Sequence, residues 1–195
     1  MKKVLLSGLA LAVLAVTTGH EAVPQATTEP IGLDDVLERL QVIEDRQAIL
    51  DLQFRYSSYN DNGFKADRIA DMFVEEGVWT GGVFGTYVGV EAIKGFFQSA
   101  PSFAKYSVHY TTNPMIEVKG DVASAKYRLL LVASVVNPDG VTEPIIYTAD
   151  YDNALARVDG QWKFTKIDVH FDFGVIIGES WVGAENPRWQ TNGAE

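Results

Sequence analysis

Three stretches of the 195-residue chain carry side chains able to move protons. The first is Arg55-Tyr56-Ser57-Ser58-Tyr59-Asn60-Asp61, which closes a segment of helical apolar spacing. A tyrosine hydroxyl can polarise a carbonyl or carry a proton, and an aspartate in an apolar pocket can act as a general base. Asn and Asp also cap helix ends, so capping here with Tyr56 in the core is the competing reading. On an ideal helix Tyr56 and Asp61 point about 140° apart. Their convergence therefore requires the helix to unwind near Asn60, which Asn60-Asp61-Asn62-Gly63 permits. The second stretch is Val108-His109-Tyr110-Thr111-Thr112-Asn113-Pro114, with one of only three histidines. Histidine titrates near neutrality and is the usual acid/base residue, although a strand histidine also serves as a structural hydrogen-bonding group. On a regular strand His109 and Thr112 occupy opposite faces. The third stretch runs from Lys166 to Phe173. Alternation puts Ile167, Val169, Phe171 and Phe173 on one face and Lys166, Asp168, His170 and Asp172 on the other. The apolar face belongs to the core, so His170 is expected to look toward solvent or a subunit interface. Asp168, His170 and Asp172 match no established ligand spacing, and Lys166 beside them would repel a cation, so no metal site is expected.

Composition removes several other chemistries. The chain has no cysteine, which excludes disulfides, thiolate zinc sites, iron–sulfur clusters and cysteine nucleophiles. Its formal charge of −10 disfavours nucleic acid and anionic membrane surfaces. No nucleophile elbow, phosphate-binding loop or dinucleotide fingerprint occurs, and Gly81-Gly82-Val83-Phe84-Gly85 opens no helix, so no cofactor is expected.

The elements that must position these groups follow from periodicity and turn residues. Residues 1–22 read as a secretory signal: Lys2 and Lys3 precede an apolar run too short to span a bilayer comfortably. The expected location is a periplasm or the extracellular space, with no membrane contact after cleavage. Residues 23–32 read as a polar, proline-containing tether and 33–173 as one domain. Leu33, Val36, Leu37, Leu40, Ile43, Leu50 and Phe54 predict a long helix to about Asn60, with Gly63 as its stop. A second helix is expected over Lys65–Phe73 and a third over Glu91–Gln98, with a hairpin over Val78–Val90 between them. Period-two alternation then predicts strands at about Ser107–Lys119, Val122–Val136, Pro144–Val158 and Trp162–Phe173. Gly120-Asp121, Asn137-Pro138-Asp139-Gly140 and Asp159-Gly160 supply the turns. Helices followed by long antiparallel strands make an α+β fold, with a curved sheet wrapped on three helices and a pocket at its mouth. Four Trp, eight Tyr and ten Phe are available to line it. The tail 174–195 shows no period.

One set of residues extends across this domain. It includes Ile43-Glu44-Asp45-Arg46-Gln47-Ala48-Ile49-Leu50-Asp51-Leu52, Arg55-Tyr56, Asp61, Phe73 and Gly77-Val78-Trp79. It continues through Gly89-Val90-Glu91-Ala92-Ile93, Phe96, His109, Asn113-Pro114, Ile116, Gly120-Asp121-Val122-Ala123, Tyr151 and Asp159-Gly160-Gln161-Trp162. In order and spacing it resembles the SnoaL-like branch of the nuclear transport factor 2-like superfamily, over roughly Leu33 to Phe173. The resemblance implies a cone-shaped α+β barrel with a deep pocket, commonly a homodimer through the sheet, and cofactor-free proton chemistry on a hydrophobic small molecule. Against the bile-acid dehydratase members, Tyr56 and Asp61 match a Tyr and an Asp, and His109 matches a strand His. That reaction's second His falls on Thr112, its strand Asp near Leu131, and its Arg near His170 or Phe171, so the dehydratase set is incomplete. The implied catalytic set is Tyr56, Asp61 and His109. Tyr59, Tyr110, Thr112, Tyr127, Leu131, Tyr151 and His170 are candidates for substrate contact. The expected activity is a lyase, by loss of water or formaldehyde, or an isomerase, on an aromatic substrate. Asp61 or His109 would take the proton and Tyr56 would stabilise the developing negative charge. A non-catalytic carrier of a hydrophobic ligand and a structural adaptor are the alternatives.

Overall fold

In the computed structural model, residues 32–177 are described. The expected signal segment, nearly all of the tether and the tail beyond Ile177 fall outside them. Helix α1 (Leu33–Asp61) begins at Gly32, whose backbone N–H donates to Asp35 Oδ2 at 3.3 Å, and Asp34 and Asp35 sit in its first turn. Acidic groups there complement the positive end of the helix dipole. The helix does not unwind at Asn60. It continues through Asp61 and stops where Gly63 and Phe64 take positive φ values of 85° and 52°.

The face of α1 that enters the core is Ile49, Leu52 and Tyr56, together with Asp45, Gln53, Ser57 and Asn60. The apolar stripe that predicted the helix is a different face. Leu33, Val36, Leu37, Leu40, Ile43 and Phe54 are all exposed. Helix α2 (Ala66–Ala70) is shorter than expected, because Phe73 already begins strand β1 (Phe73–Thr80). Helix α3 (Val90–Ser99) buries Ile93 and Phe97.

Strand β1 pairs antiparallel with β2 (Thr86–Val88), which is the expected hairpin, entered five residues earlier than its spacing indicated. The four long strands are β3 (Ala104–Lys119), β4 (Val122–Val136), β5 (Thr142–Val158) and β6 (Gln161–Ile176). The sheet order is β2-β1-β6-β5-β4-β3, with β1 parallel to β6 and every other pair antiparallel. Three helices packed on this curved, mostly antiparallel sheet form the α+β cone. Its curvature is helped by irregularities in the ladder, including one between Thr112 and Met115 beside Asn113 at φ 53°. A second lies in β6, where Ala149 pairs with Phe171 but Thr148 pairs with Phe173. The extra residue there is Asp172, and it shifts Phe173 to the outer face, contrary to simple alternation. Strand β6 also absorbs Gly174–Ile176, the first residues of the expected tail.

The narrow end of the cone is tied by Asp45. It accepts from Arg157 Nη2 at 2.7 Å and from Trp162 Nε1 at 3.1 Å, while the Arg157 guanidinium lies 4.6 Å from the centre of the Trp162 ring. The hydrogen bond from Arg157 holds the Asp45 carboxyl below its ordinary range. A buried charge is tolerated here because a cation and an indole N–H satisfy it.

Candidate functional site

The wide end of the cone encloses a cavity of about 350 Å³ between α1, α3 and the inner face of the sheet. Its walls are chiefly aromatic and aliphatic. Trp79, Phe84, Phe96, Phe97 and Phe103 come from the β1–α3 side, and Leu129, Leu131, Val169 and Phe171 from the sheet. The rings brace one another: Trp79 and Tyr87 each stack on Phe96 with centroids 4.5 Å apart. In such a lining the few polar atoms fix the orientation of a ligand.

The central polar group is His109. Strand β3 directs Ser107, His109 and Thr111 inward, and the Thr111 hydroxyl lies 3.0 Å from that of Ser57 on α1. Asp61, at the last turn of α1, reaches across to this strand. One carboxylate oxygen lies 2.6 Å from His109 Nδ1, and both oxygens lie 3.1 Å from the His109 backbone N–H. A carboxylate only accepts, so Nδ1 carries a proton and the neutral form of the ring is the tautomer with its lone pair on Nε2. His109 lines the cavity, whereas Asp61 stands behind it. The 140° separation of Tyr56 and Asp61 is thus resolved without unwinding. Tyr56 lines the cavity directly, and Asp61 meets it through the imidazole.

Two tyrosine hydroxyls stand near this pair, and Asn60, Ser107 and Tyr147 also reach the lining. Tyr56 accepts a hydrogen bond from Trp79 Nε1 at 2.8 Å, and the indole can only donate. The phenolic proton of Tyr56 is therefore left to donate elsewhere. Tyr151 packs edge-on against Tyr56, with centroids 6.3 Å apart, and also lines the cavity. Among the described residues its hydroxyl makes no hydrogen bond. Burial pushes both phenols well above their ordinary pKa, and for Tyr151 the proximity of Tyr56 and Asp61 adds to the effect. Both are held as neutral donors.

Burial also predicts alkaline lability. Tyr56, Tyr127, Tyr147 and Tyr151 all have phenols raised above 10.0 by burial. Once the pH exceeds that ordinary value, the unfolded chain releases protons that the folded chain still holds, so stability falls as pH rises. The slope is about 1.4 kcal/mol per pH unit for each strongly raised tyrosine. Thermal melts should show a steep loss of Tm above about pH 10. A flat Tm through that range would contradict the burial of these hydroxyls.

The other candidates divide sharply. Leu131 lines the cavity as expected. Tyr59 instead lines a separate polar groove at the narrow end, with Arg55, Arg68 and Trp162. Tyr127 is buried in the core below the cavity and does not line it. Tyr110 and Thr112 lie on the outer face of β3, where Tyr110 is 54% exposed. His170 is exposed on the outer face of β6, with Nε2 3.3 Å from Asp168. These three are not cavity residues, because strand parity sends them outward. Trp79 and Tyr147 belong to the site but were not singled out from the sequence. Strand alternation through Tyr151 would have found Tyr147, whereas nothing local marks Trp79 as the partner of Tyr56.

The model of the SnoaL-like domain matches residues 41–168 of the chain. Among solved structures, a proposed aromatic ring hydroxylase from Novosphingobium aromaticivorans is 28% identical. There the match covers 66% of this chain and 90% of that one, with a TM-score of 0.60. A hexachlorocyclohexane dehydrochlorinase, LinA type 2, is 25% identical over 73% of this chain and 95% of that one, with a TM-score of 0.66. A proposed scytalone dehydratase from Novosphingobium aromaticivorans shares the fold, at 21% identity over 71% and 96% of the two chains and a TM-score of 0.62. No curated protein matches the chain.

Proposed function

The chain belongs to the SnoaL-like domain family, and from that premise we propose that it is a cofactor-independent lyase catalysing β-elimination from a hydrophobic, aromatic substrate. The observation that carries this reading is the Asp61–His109 pair, set against two neutral tyrosine hydroxyls in one apolar cavity. His109 Nε2 removes a proton from the carbon next to the one bearing the leaving group. The C–H electron pair becomes the new double bond, and the leaving group departs with its bonding pair. Where formaldehyde is lost, His109 Nε2 instead takes the hydroxymethyl O–H proton and the C–O bond becomes the C=O of formaldehyde. The broken C–C bond then supplies the pair for the new double bond as the leaving group departs. Asp61 holds the imidazole in its basic tautomer and stabilises the imidazolium that forms. Tyr56 and Tyr151 donate to the leaving atom, or to a carbonyl oxygen that gathers charge as the proton is lost. An apolar wall strengthens each of these interactions by excluding water. The dehydrochlorinase among the similar structures is named for an elimination of this type, which supports the assignment.

On the same reading the protein is exported, on the strength of its leader-like residues 1–22, and self-associates. Its substrate enters uncharged, because among the described residues no lysine or arginine lines the cavity to receive an anion.

The test is incubation with three substrate sets: diaryl compounds bearing a hydroxymethyl group, steroid-like secondary alcohols, and chlorinated cyclohexanes. New ultraviolet absorbance, released formaldehyde and released chloride would be recorded. One of these products should form in proportion to enzyme. Saturable binding of such compounds with no product from any set would refute the lyase and favour a carrier.

A further inference from the structure

We propose that α1 joins two copies of this chain side by side, as a parallel coiled coil through its outward stripe. Every residue from Leu33 to Glu44 is exposed, so the first twelve residues of the helix bury no side chain in the core. A helix of that length has marginal stability in water without an apolar partner.

The stripe it carries has coiled-coil spacing. Leu33, Val36, Leu40, Ile43, Gln47, Leu50 and Phe54 follow one another at alternating steps of three and four residues. These are the a and d positions of three heptads, spanning about 33 Å of helix. Leu33, Ile43 and Phe54 are 73%, 63% and 73% exposed, and Leu50 is half-buried against the core. The core face of α1, centred on Ile49, Leu52 and Tyr56, lies on the opposite side of the helix. Two barrels could thus flank a central pair of helices.

Charge selects both the occupant and its orientation. Of the g positions beside the seam, Arg39 and Arg46 are exposed and Gln53 is buried in the core, and the e positions five residues after the two arginines are Glu44 and Asp51. In a parallel pair each g residue meets the e residue five positions later on the other copy. That sets Arg39 against Glu44 and Arg46 against Asp51, and the symmetry repeats both pairs. In an antiparallel pair arginine would meet arginine and acid would meet acid. Arg46 donates through Nη1 to the Ile116 carbonyl, leaving its other N–H groups for the second copy. Gln47 is the one polar residue of the seam, and a single polar a position fixes register.

The experiment uses the purified full chain. Light scattering should give a mass that falls by half in the double variant Leu40→Glu/Ile43→Glu, with circular dichroism showing the barrel intact. Because the chain has no cysteine, Ile43→Cys offers a clean second measurement. Identical d positions face one another only in a parallel, in-register pair, so this variant should form a disulfide-linked dimer under mild oxidation, whereas Gln41→Cys on the flank should not. A mass unchanged by the double variant would overturn the proposal and assign self-association to another face, such as the outer sheet. A monomeric wild type with no cross-link at position 43 would also overturn it.

Discussion

Replacing His109 with glutamine should lower the turnover of any substrate the protein converts by about 10²–10⁴-fold, the usual contribution of a positioned general base. The loss should appear in kcat, because glutamine fills much the same volume and leaves the cavity walls in place. Asp61→Asn tests the other half of the pair. Its amide can donate toward Nδ1 and so favour the tautomer that carries the proton on Nε2, where the base is needed. Turnover should then fall by a similar order although no cavity-lining atom has changed. The double variant should be little worse than either single one, since two groups acting as a unit are not additive. Nearly full activity in Asp61→Asn would mean that the 2.6 Å contact between Asp61 and His109 is structural only. Full activity in His109→Gln would remove the assigned base altogether.

Tyr56→Phe and Tyr151→Phe should each cost about 10²-fold in kcat, the scale for loss of one donor to developing charge. The two substitutions differ in their structural consequence. Tyr151 lacks a hydrogen-bond partner among the described residues, so Tyr151→Phe should leave stability unchanged or slightly improved. Tyr56→Phe strands the Trp79 indole N–H in a buried site, and an unsatisfied buried donor costs about 1–3 kcal/mol. Tm should therefore fall for Tyr56→Phe and hold for Tyr151→Phe while kcat falls for both. If kcat holds in both variants, the hydroxyls merely line the cavity. A rise in KM at constant kcat would mark them as binding groups that treat the ground and transition states alike.

Much of this molecule is local and therefore legible along the chain. Alternation predicted all four long strands, and the start and end of β4 coincide with the expected Val122–Val136. Strand parity also foretold that His109 and Thr112 could not both face inward and that His170 would face out. What local patterning could not supply was the identity of the inner face. On α1 the most regular apolar stripe lies outside, while the core face mixes Ile49, Leu52 and Tyr56 with Asp45, Gln53, Ser57 and Asn60. Several of those polar residues meet partners elsewhere in the chain: Asn153 Nδ2 donates to Gln53 Oε1, and the Thr111 hydroxyl lies beside that of Ser57. A hydropathy pattern has no access to such partners.

By itself the sequence determined the element order, the α+β class and the absence of thiol chemistry, and it offered Tyr56, Asp61 and His109 as candidates for moving a proton. Only the tertiary structure decided their roles. The contact that sets Asp61 against His109 joins residues 48 positions apart, and the contact that leaves the Tyr56 proton to donate elsewhere comes from Trp79 on β1. The single-residue shift at Asp172 moved Phe173 out of the inner layer in the same way. Periodicity reports which residues share a face of one element. Which face is enclosed, and which carboxylate lies behind which imidazole, depends on how distant elements pack.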